Sequence, residues 1–167
     1  MATPTNLPAT AVSGEILTAA YVNNLRGAFR VLQVVYATTN TPLLSSTTAF
    51  ATTGLTATIT PQSTSNKVLA IVTQNGCYKG PGNANNGLNL RLMRAGTKIA
   101  DIMVAGGYTN TTLTQFIGTG SVAILDSPST IAATIYNTEF ANQQASADVG
   151  VQTVNATSTI ILMEISA

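Results

Sequence analysis

Residues 88–104 alternate. Leu88, Leu90 and Leu92 are separated by Asn89 and Arg91, the period of a strand with one buried face. Ala95-Gly96 interrupts the run, and Gly96 can take the positive φ of a two-residue reversal. That register sets Arg94 against Thr97 and Leu92 against Ile99, and would bring Asp101 opposite Leu90. A bulge near Ala100 corrects this and turns Ala100, Ile102 and Val104 inward. Around this hairpin, strands are expected at 31–37, 55–60, 67–73 running on towards 78, 111–117, 121–125, 131–140, 149–154 and 159–165. Clusters such as Thr60-Pro61-Gln62-Ser63 and Asp126-Ser127-Pro128-Ser129 bound them. No helix-length pattern separates the strands, so the crossovers of a parallel sheet have no material. The chain is predicted to be all-β, an antiparallel β-sandwich of jelly-roll-like kind.

The first thirty residues read differently, and the chain divides into a segment at 1–30 and a β-sandwich knob at 31–167. Residues 1–12 contain Pro4 and Pro8 and no charge, the pattern of an extended arm. Ser13 can cap a short helix favoured by Glu15, whose apolar stripe is Leu17, Tyr21, Leu25, Phe29 and Leu32. That stripe either covers one end of its own domain or anchors the chain to something larger.

Two strands break the alternation. Val68-Leu69-Ala70-Ile71-Val72 and Ile160-Ile161-Leu162-Met163 are apolar on both faces, so both sides of the sheet beneath them should be covered. The surplus face is expected to meet the arm and helix or, for at least one strand, another copy of the chain. Glu164 follows directly and needs a partner if buried; Arg91 or Arg94 is the expected one, giving a structural ion pair of Glu164 with Arg91 as first choice.

Composition narrows the function. Of the 167 residues only 8% are charged and the net charge is +1, against ~25% charged in an ordinary domain. No basic cluster offers a footprint for nucleic acid or an anionic membrane. No run is long and apolar enough to span a bilayer, and no signal peptide is recognisable, so a soluble chain made in the cytoplasm is expected. Histidine is absent, which removes His-based triads and zinc sites. Cys77 is the single cysteine, with no base beside it, and the six carboxylates are scattered. Calcium between Asp126 and Asp148 stays open, though no ligand spacing announces it. Neither catalysis nor a cofactor or metal is expected. Residues 80–87, with Asn83, Asn85 and Asn86, form a small-residue loop without the lysine of a phosphate cradle. With Tyr108 after Gly106-Gly107, that loop is the candidate ligand surface, although Tyr108 is expected rather to pack.

Several short blocks in order carry a resemblance. They are Gly14-Glu15-Ile16-Leu17-Thr18-Ala19-Ala20 with Asn23-Asn24-Leu25-Arg26, Thr60-Pro61 with Ser65-Asn66-Lys67-Val68-Leu69, Leu90-Arg91-Leu92-Met93-Arg94, Leu125-Asp126-Ser127-Pro128, and the run from Ser158 to Ile165. Together they resemble trimeric β-sandwich virion proteins of tailed bacteriophages, which occur as capsid decoration (cement) proteins and as head- or tail-fibre knobs. The aromatic-valine-glutamine signature common in that class is replaced by Tyr136-Asn137-Thr138-Glu139. The resemblance implies a homotrimeric structural protein on the virion surface, bound to the major capsid protein or another virion protein through residues 1–30. Its alternative is a fibre knob that binds a cell-surface glycan. A free lectin-like module is the weaker third reading.

If the arm is the anchor, deleting residues 1–12 leaves thermal melting nearly unchanged and abolishes attachment to particles that lack the protein. Undiminished decoration by the truncated chain would place the anchor on the sandwich.

Overall fold

The structure, a computed structural model, describes residues 31–167. The arm and the helix positions Leu17, Tyr21, Leu25 and Phe29 lie outside the described residues, while Leu32, the last position of the expected helical stripe, belongs to the first strand. Ten strands follow: β1 (Val31–Thr39), β2 (Leu43–Ser45), β3 (Ala51–Ile59), β4 (Lys67–Lys79), β5 (Leu88–Arg94), β6 (Thr97–Gly106), β7 (Gln115–Asp126), β8 (Thr134–Asn142), β9 (Val149–Val151) and β10 (Ser158–Ile165), with a 3₁₀ turn at Thr153–Asn155. They form two antiparallel sheets packed face to face. The smaller has the order β3-β8-β5-β6. In the larger, β7 pairs with β4 along nearly its whole length. The opposite edge of β4 pairs first with β10, which carries β1, and then with β9, which carries β2. The larger sheet therefore forks midway along β4.

The expected hairpin is present as β5–β6, turning through Ala95 (φ 46°) and Gly96 (φ 81°), a reversal whose two positive φ angles match the twist of the strands. Arg94 faces Thr97 as expected. The bulge comes one residue early, at Ile99, so Leu92 faces Ala100 and not Ile99, and Asp101 faces Arg91. Further irregularities around Ile102 and between Met103 and Gly106 flip the parity again, and Val104, expected inside, is 71% exposed. Other boundaries moved as well: the strand expected at 149–154 ends at Val151, before the 3₁₀ turn, and that expected at 55–60 begins at Ala51. The strands expected at 111–117 and 121–125 are the single strand β7, β8 starts at Thr134, and the three-residue β2 has no separate signal in the sequence.

The core is in two parts. One cluster gathers Leu55, Ile59, Val68, Val72, Leu92, Tyr136, Ile160 and Leu162; the other holds Cys77, Leu88, Leu90, Phe140, Val149 and Val151. Between them runs a buried chain of polar side chains that joins the sheets. Thr53 and Thr138 share a hydrogen bond of 2.5 Å, Thr138 Oγ1 donates to Gln74 Oε1 at 3.0 Å, and Gln74 Nε2 donates to Ser158 Oγ at 3.0 Å. Ser158 Oγ also accepts the backbone N–H of Asn75. Each polar atom in this chain is satisfied by the next, which is the condition for burying it without a desolvation penalty.

Thr138→Val keeps the shape but strips the hydroxyl used by both Thr53 and Gln74. Leaving the Gln74 carbonyl buried and unpaired should cost about 1–3 kcal/mol, read as a fall in melting temperature of about 5 °C.

Candidate functional site

The two outer faces of the sandwich differ in chemistry, although the smaller sheet, which carries the ion pairs, also exposes Ile135 and Val104. On the smaller sheet Arg91 alternates with the buried Leu90 and Leu92 and so points out. It donates to Glu139 Oε2 from Nε at 3.0 Å and from Nη2 at 2.7 Å, and its guanidinium lies 3.7 Å above the centre of the Phe50 ring. Asp101 stands opposite it in register and pairs with Lys98 at 2.8 Å. Surface pairs of this kind add little stability; they make a face adapted to water.

On the larger sheet the outward residues of β1, β10, β4 and β7 align in rows. Val34, Met163, Leu69 and Leu125 form one row, and Tyr36, Ile161, Ile71 and Ala123 the next. The edge positions are the most open: Val34 is 56%, Tyr36 62% and Leu125 60% exposed. Thr38, Thr159, Thr73 and Ser121 form a polar row on one side, and Val31, Ile165 and Lys67 lie on the other. This is the surplus apolar face that the non-alternating strands predict, and no described residue covers it. Beyond the fork a third apolar row follows, Leu44, Gly150, Tyr78 and Phe116. Gly150 is required there, because a Cβ on it would lie 2.2 Å from Tyr78 Cε1, where the ring crosses the strand.

The buried ends of the same sheet correct the expected ion pair. Glu164 is fully buried, but its partners are amides: Oε1 accepts from the backbone N–H of Gln62 and from Asn66 Nδ2, and Oε2 accepts from Gln33 Nε2, each at 2.6 Å. Neither arginine reaches it. Arg91 is on the outer face of the other sheet, and Arg94 holds Asp126 at 2.7 Å. Burial pushes the Glu164 carboxyl pKa up, but the hydrogen bonds from Asn66, Gln33 and the backbone of Gln62 and Ser63 outweigh it and hold the group below the usual carboxylate value. Asp126 is more than the start of a turn. It ends β7, receives the Tyr136 hydroxyl at 2.7 Å and so ties β7 to the smaller sheet. Burial, reinforced by that hydrogen bond and the Asp126 charge, raises the Tyr136 pKa and keeps the phenol neutral.

The candidate ligand loops divide. Asn86 is buried and donates to the carbonyls of Gly80 and Asp148, and Asn83 is bound to Ala145 O and to the backbone of Asn85; both build the loop. Asn85 and Tyr108 remain at the surface, with the Tyr108 hydroxyl donating to Asn85 Oδ1 at 3.3 Å. Sequence reasoning missed Lys79, which is fully buried and donates to Thr109 Oγ1 at 2.9 Å and to the Thr111 carbonyl at 2.5 Å, pinning the loop before β7. Cys77 is buried, and desolvation pushes its thiol up to about 11, so it is a packing residue and not a nucleophile. Among the described residues no three His, Cys, Asp or Glu side chains converge to hold a metal ion.

No family model and no curated protein matches the chain. Solved structures that it is similar to include the infectious bursal disease virus VP2 subviral particle, at 10% identity and a TM-score of 0.45 over 81% of this chain and 34% of that one. Another is the structure of the infectious bursal disease virus Gt strain, at 11% identity and a TM-score of 0.41 over 82% of this chain and 39% of that one. The cyanophage Pam1 capsid asymmetric unit is similar at 17% identity and a TM-score of 0.33, over 96% of this chain and 99% of that one. The chain spans little more than a third of the length of the two bursal disease virus chains.

Glu164→Ala removes the acceptor from three donors and should destabilise the fold by about 3 kcal/mol. Because the folded pKa lies below that of an ordinary glutamate carboxyl, the carboxylate contributes its stability fully above the unfolded pKa and loses it as pH falls through the folded one. Thermal melts of the wild type should therefore drop on acidification below about pH 5, and Glu164→Gln, already destabilised, should drop less. Equal slopes would show that Glu164 does not carry the effect.

Proposed function

We propose that this chain is a structural protein of a tailed-bacteriophage particle, a homotrimeric decoration (cement) protein on the outer surface of the capsid head. Residues 1–30 are its attachment segment, with Leu17, Tyr21, Leu25 and Phe29 as contacts, and 31–167 is its knob. The observation that carries the reading is the sidedness of the sandwich: a charged, self-paired outer face on one sheet and a two-row apolar face on the other. Such a surface suits burial against protein better than recognition of a small ligand. The blocks that resemble phage decoration proteins supply the kind of assembly. The mechanism asks for no reacting group. Each subunit adds buried area where shell subunits meet, and three tethered copies multiply the gain through avidity. The alternative, a fibre knob that binds a host glycan, rests on the surface pair Tyr108 and Asn85.

Native mass spectrometry of the full chain should give a trimer, and a stable monomer at micromolar concentration would refute it. Quantitative mass spectrometry of purified particles should find copies in proportion to the major capsid protein. Stoichiometry matching a tail or a single vertex would favour the fibre reading.

A further inference from the structure

We infer that Tyr108, Asn85 and Asn110 form a binding site for an uncharged saccharide, at the end of the sandwich where the loop from β4 to β5 meets the loop from β6 to β7. The inference rests on the alternative reading, glycan binding, and gives that reading its residues and its class of sugar.

Both loops are held from beneath. The buried Lys79 draws the β6–β7 loop onto the sheet by donating to Thr109 Oγ1 and the Thr111 carbonyl, and at Gly107 the backbone lies so close that a Cβ would stand 2.9 Å from Ile117 Cγ1. The β4–β5 loop is fixed by the buried Asn86, which donates to the carbonyls of Gly80 and Asp148, and by Asn83 Oδ1, which accepts the Asn85 N–H at 2.9 Å. Two segments far apart in sequence thus present Asn85, Tyr108 and Asn110 at the surface from a built foundation. The ordering that a ligand would otherwise have to impose is already in place.

The chemistry at the meeting point is unfinished. The Tyr108 hydroxyl has one proton and two acceptors, Asn85 Oδ1 at 3.3 Å and Asn110 Oδ1 at 3.4 Å, and it can satisfy only one of them at a time. The other carbonyl is free to accept from a ligand hydroxyl. The two Nδ2 groups, which donate to no described residue, face no competing acceptor. Beside them the Tyr108 ring is 47% exposed, an apolar surface with a polar tip. A sugar offers the matching set, hydroxyls that both donate and accept around an apolar C–H face. Other classes fit worse. A phosphate or carboxylate calls for an exposed cation, and residues 80–87 and 105–114 carry no charged side chain. A protein partner calls for a desolvated apolar centre, where these three side chains offer one ring between amides. A small apolar molecule calls for an enclosing cavity, and all three side chains stand at the surface.

Saturation-transfer NMR of the full chain tests this, with the methyl glycosides of glucose, galactose, mannose, rhamnose and N-acetylglucosamine as probes and glucuronic acid as the charged one. The wild type should saturate with at least one uncharged glycoside at a Kd in the millimolar range, the strength of one shallow site. Tyr108→Ala should weaken that binding at least about tenfold with melting unchanged. Asn110→Gly keeps a backbone of positive φ (52° at Asn110) while removing the amide, and should weaken binding several-fold. Phe116→Ala, at an exposed ring on β7, should bind as the wild type does. Binding that survives both Tyr108→Ala and Asn110→Gly overturns the site and leaves the glycan reading standing, whereas silence from every sugar refutes that reading as well. Glucuronic acid bound as tightly as the best glycoside overturns the uncharged class. Should Tyr108→Ala fail to fold, Asn110→Gly decides alone.

Discussion

The carboxamide of Gln74 fixes how the two sheets meet. Its oxygen accepts from Thr138 on the smaller sheet and its nitrogen donates to Ser158 within the larger one. Apolar side chains tolerate small slips, because burial is not directional. A buried amide does not tolerate them, because a shift that separates it from its partners leaves polar atoms dry and unpaired. The two apolar clusters supply most of the stabilisation, and the polar chain between them selects one register of sheet on sheet.

The strand pattern was legible because most of the larger sheet obeys a period of two. Val68, Ala70 and Val72 face in while Leu69 and Ile71 face out, and β10 repeats the scheme with Ile160 and Leu162 inside. The doubly apolar reading of these strands thus anticipated the exposed rows. Bulges were legible as a need and not as a place, since the parity of the hairpin demanded a correction that Ile99, Ile102 or Ala105 could each supply. The misassigned partner of Glu164 has a physical cause that the pattern already contained. Glu164 shares the parity of Ile160 and Leu162 and faces in, whereas Arg91 falls between Leu90 and Leu92 and faces out. A buried carboxylate needs donors, and amides placed by the turn between β3 and β4 serve as well as a guanidinium without burying a second charge. Nothing in the sequence marked Gln62 and Asn66 as those donors, because their approach is made by the loop.

Low charge has a meaning here beyond composition. The three ion pairs among the described residues, Arg91–Glu139, Arg94–Asp126 and Lys98–Asp101, lie on or beside the smaller sheet. On the larger sheet Lys79 and Glu164 are buried, Asp126 is turned to Arg94 and Tyr136, and Lys67 stands at the rim, so the outward-facing ion pairs among the described residues belong to the other side of the domain. Outside the apolar rows, much of the described surface is threonine, serine and asparagine, which hydrogen-bond without repelling a neighbour.

The fork in the larger sheet implies two stabilities within one domain. The limb made by β10 and β1 is held to β4 over seven paired positions, whereas the limb made by β9 and β2 pairs with β4 at Tyr78 and Lys79 and is tied to it just beyond β9 by the Gln152 N–H and the Thr153 hydroxyl, which donate to the carbonyls of Asn75 and Gly76. Opening of the short limb breaks few hydrogen bonds and leaves the larger apolar cluster intact. Amide protons of β2 and β9 therefore exchange through local excursions, and those at the centre of β4 and β10 wait for global unfolding. A strand shared between unequal limbs lets one end of the knob breathe while the other stays shut.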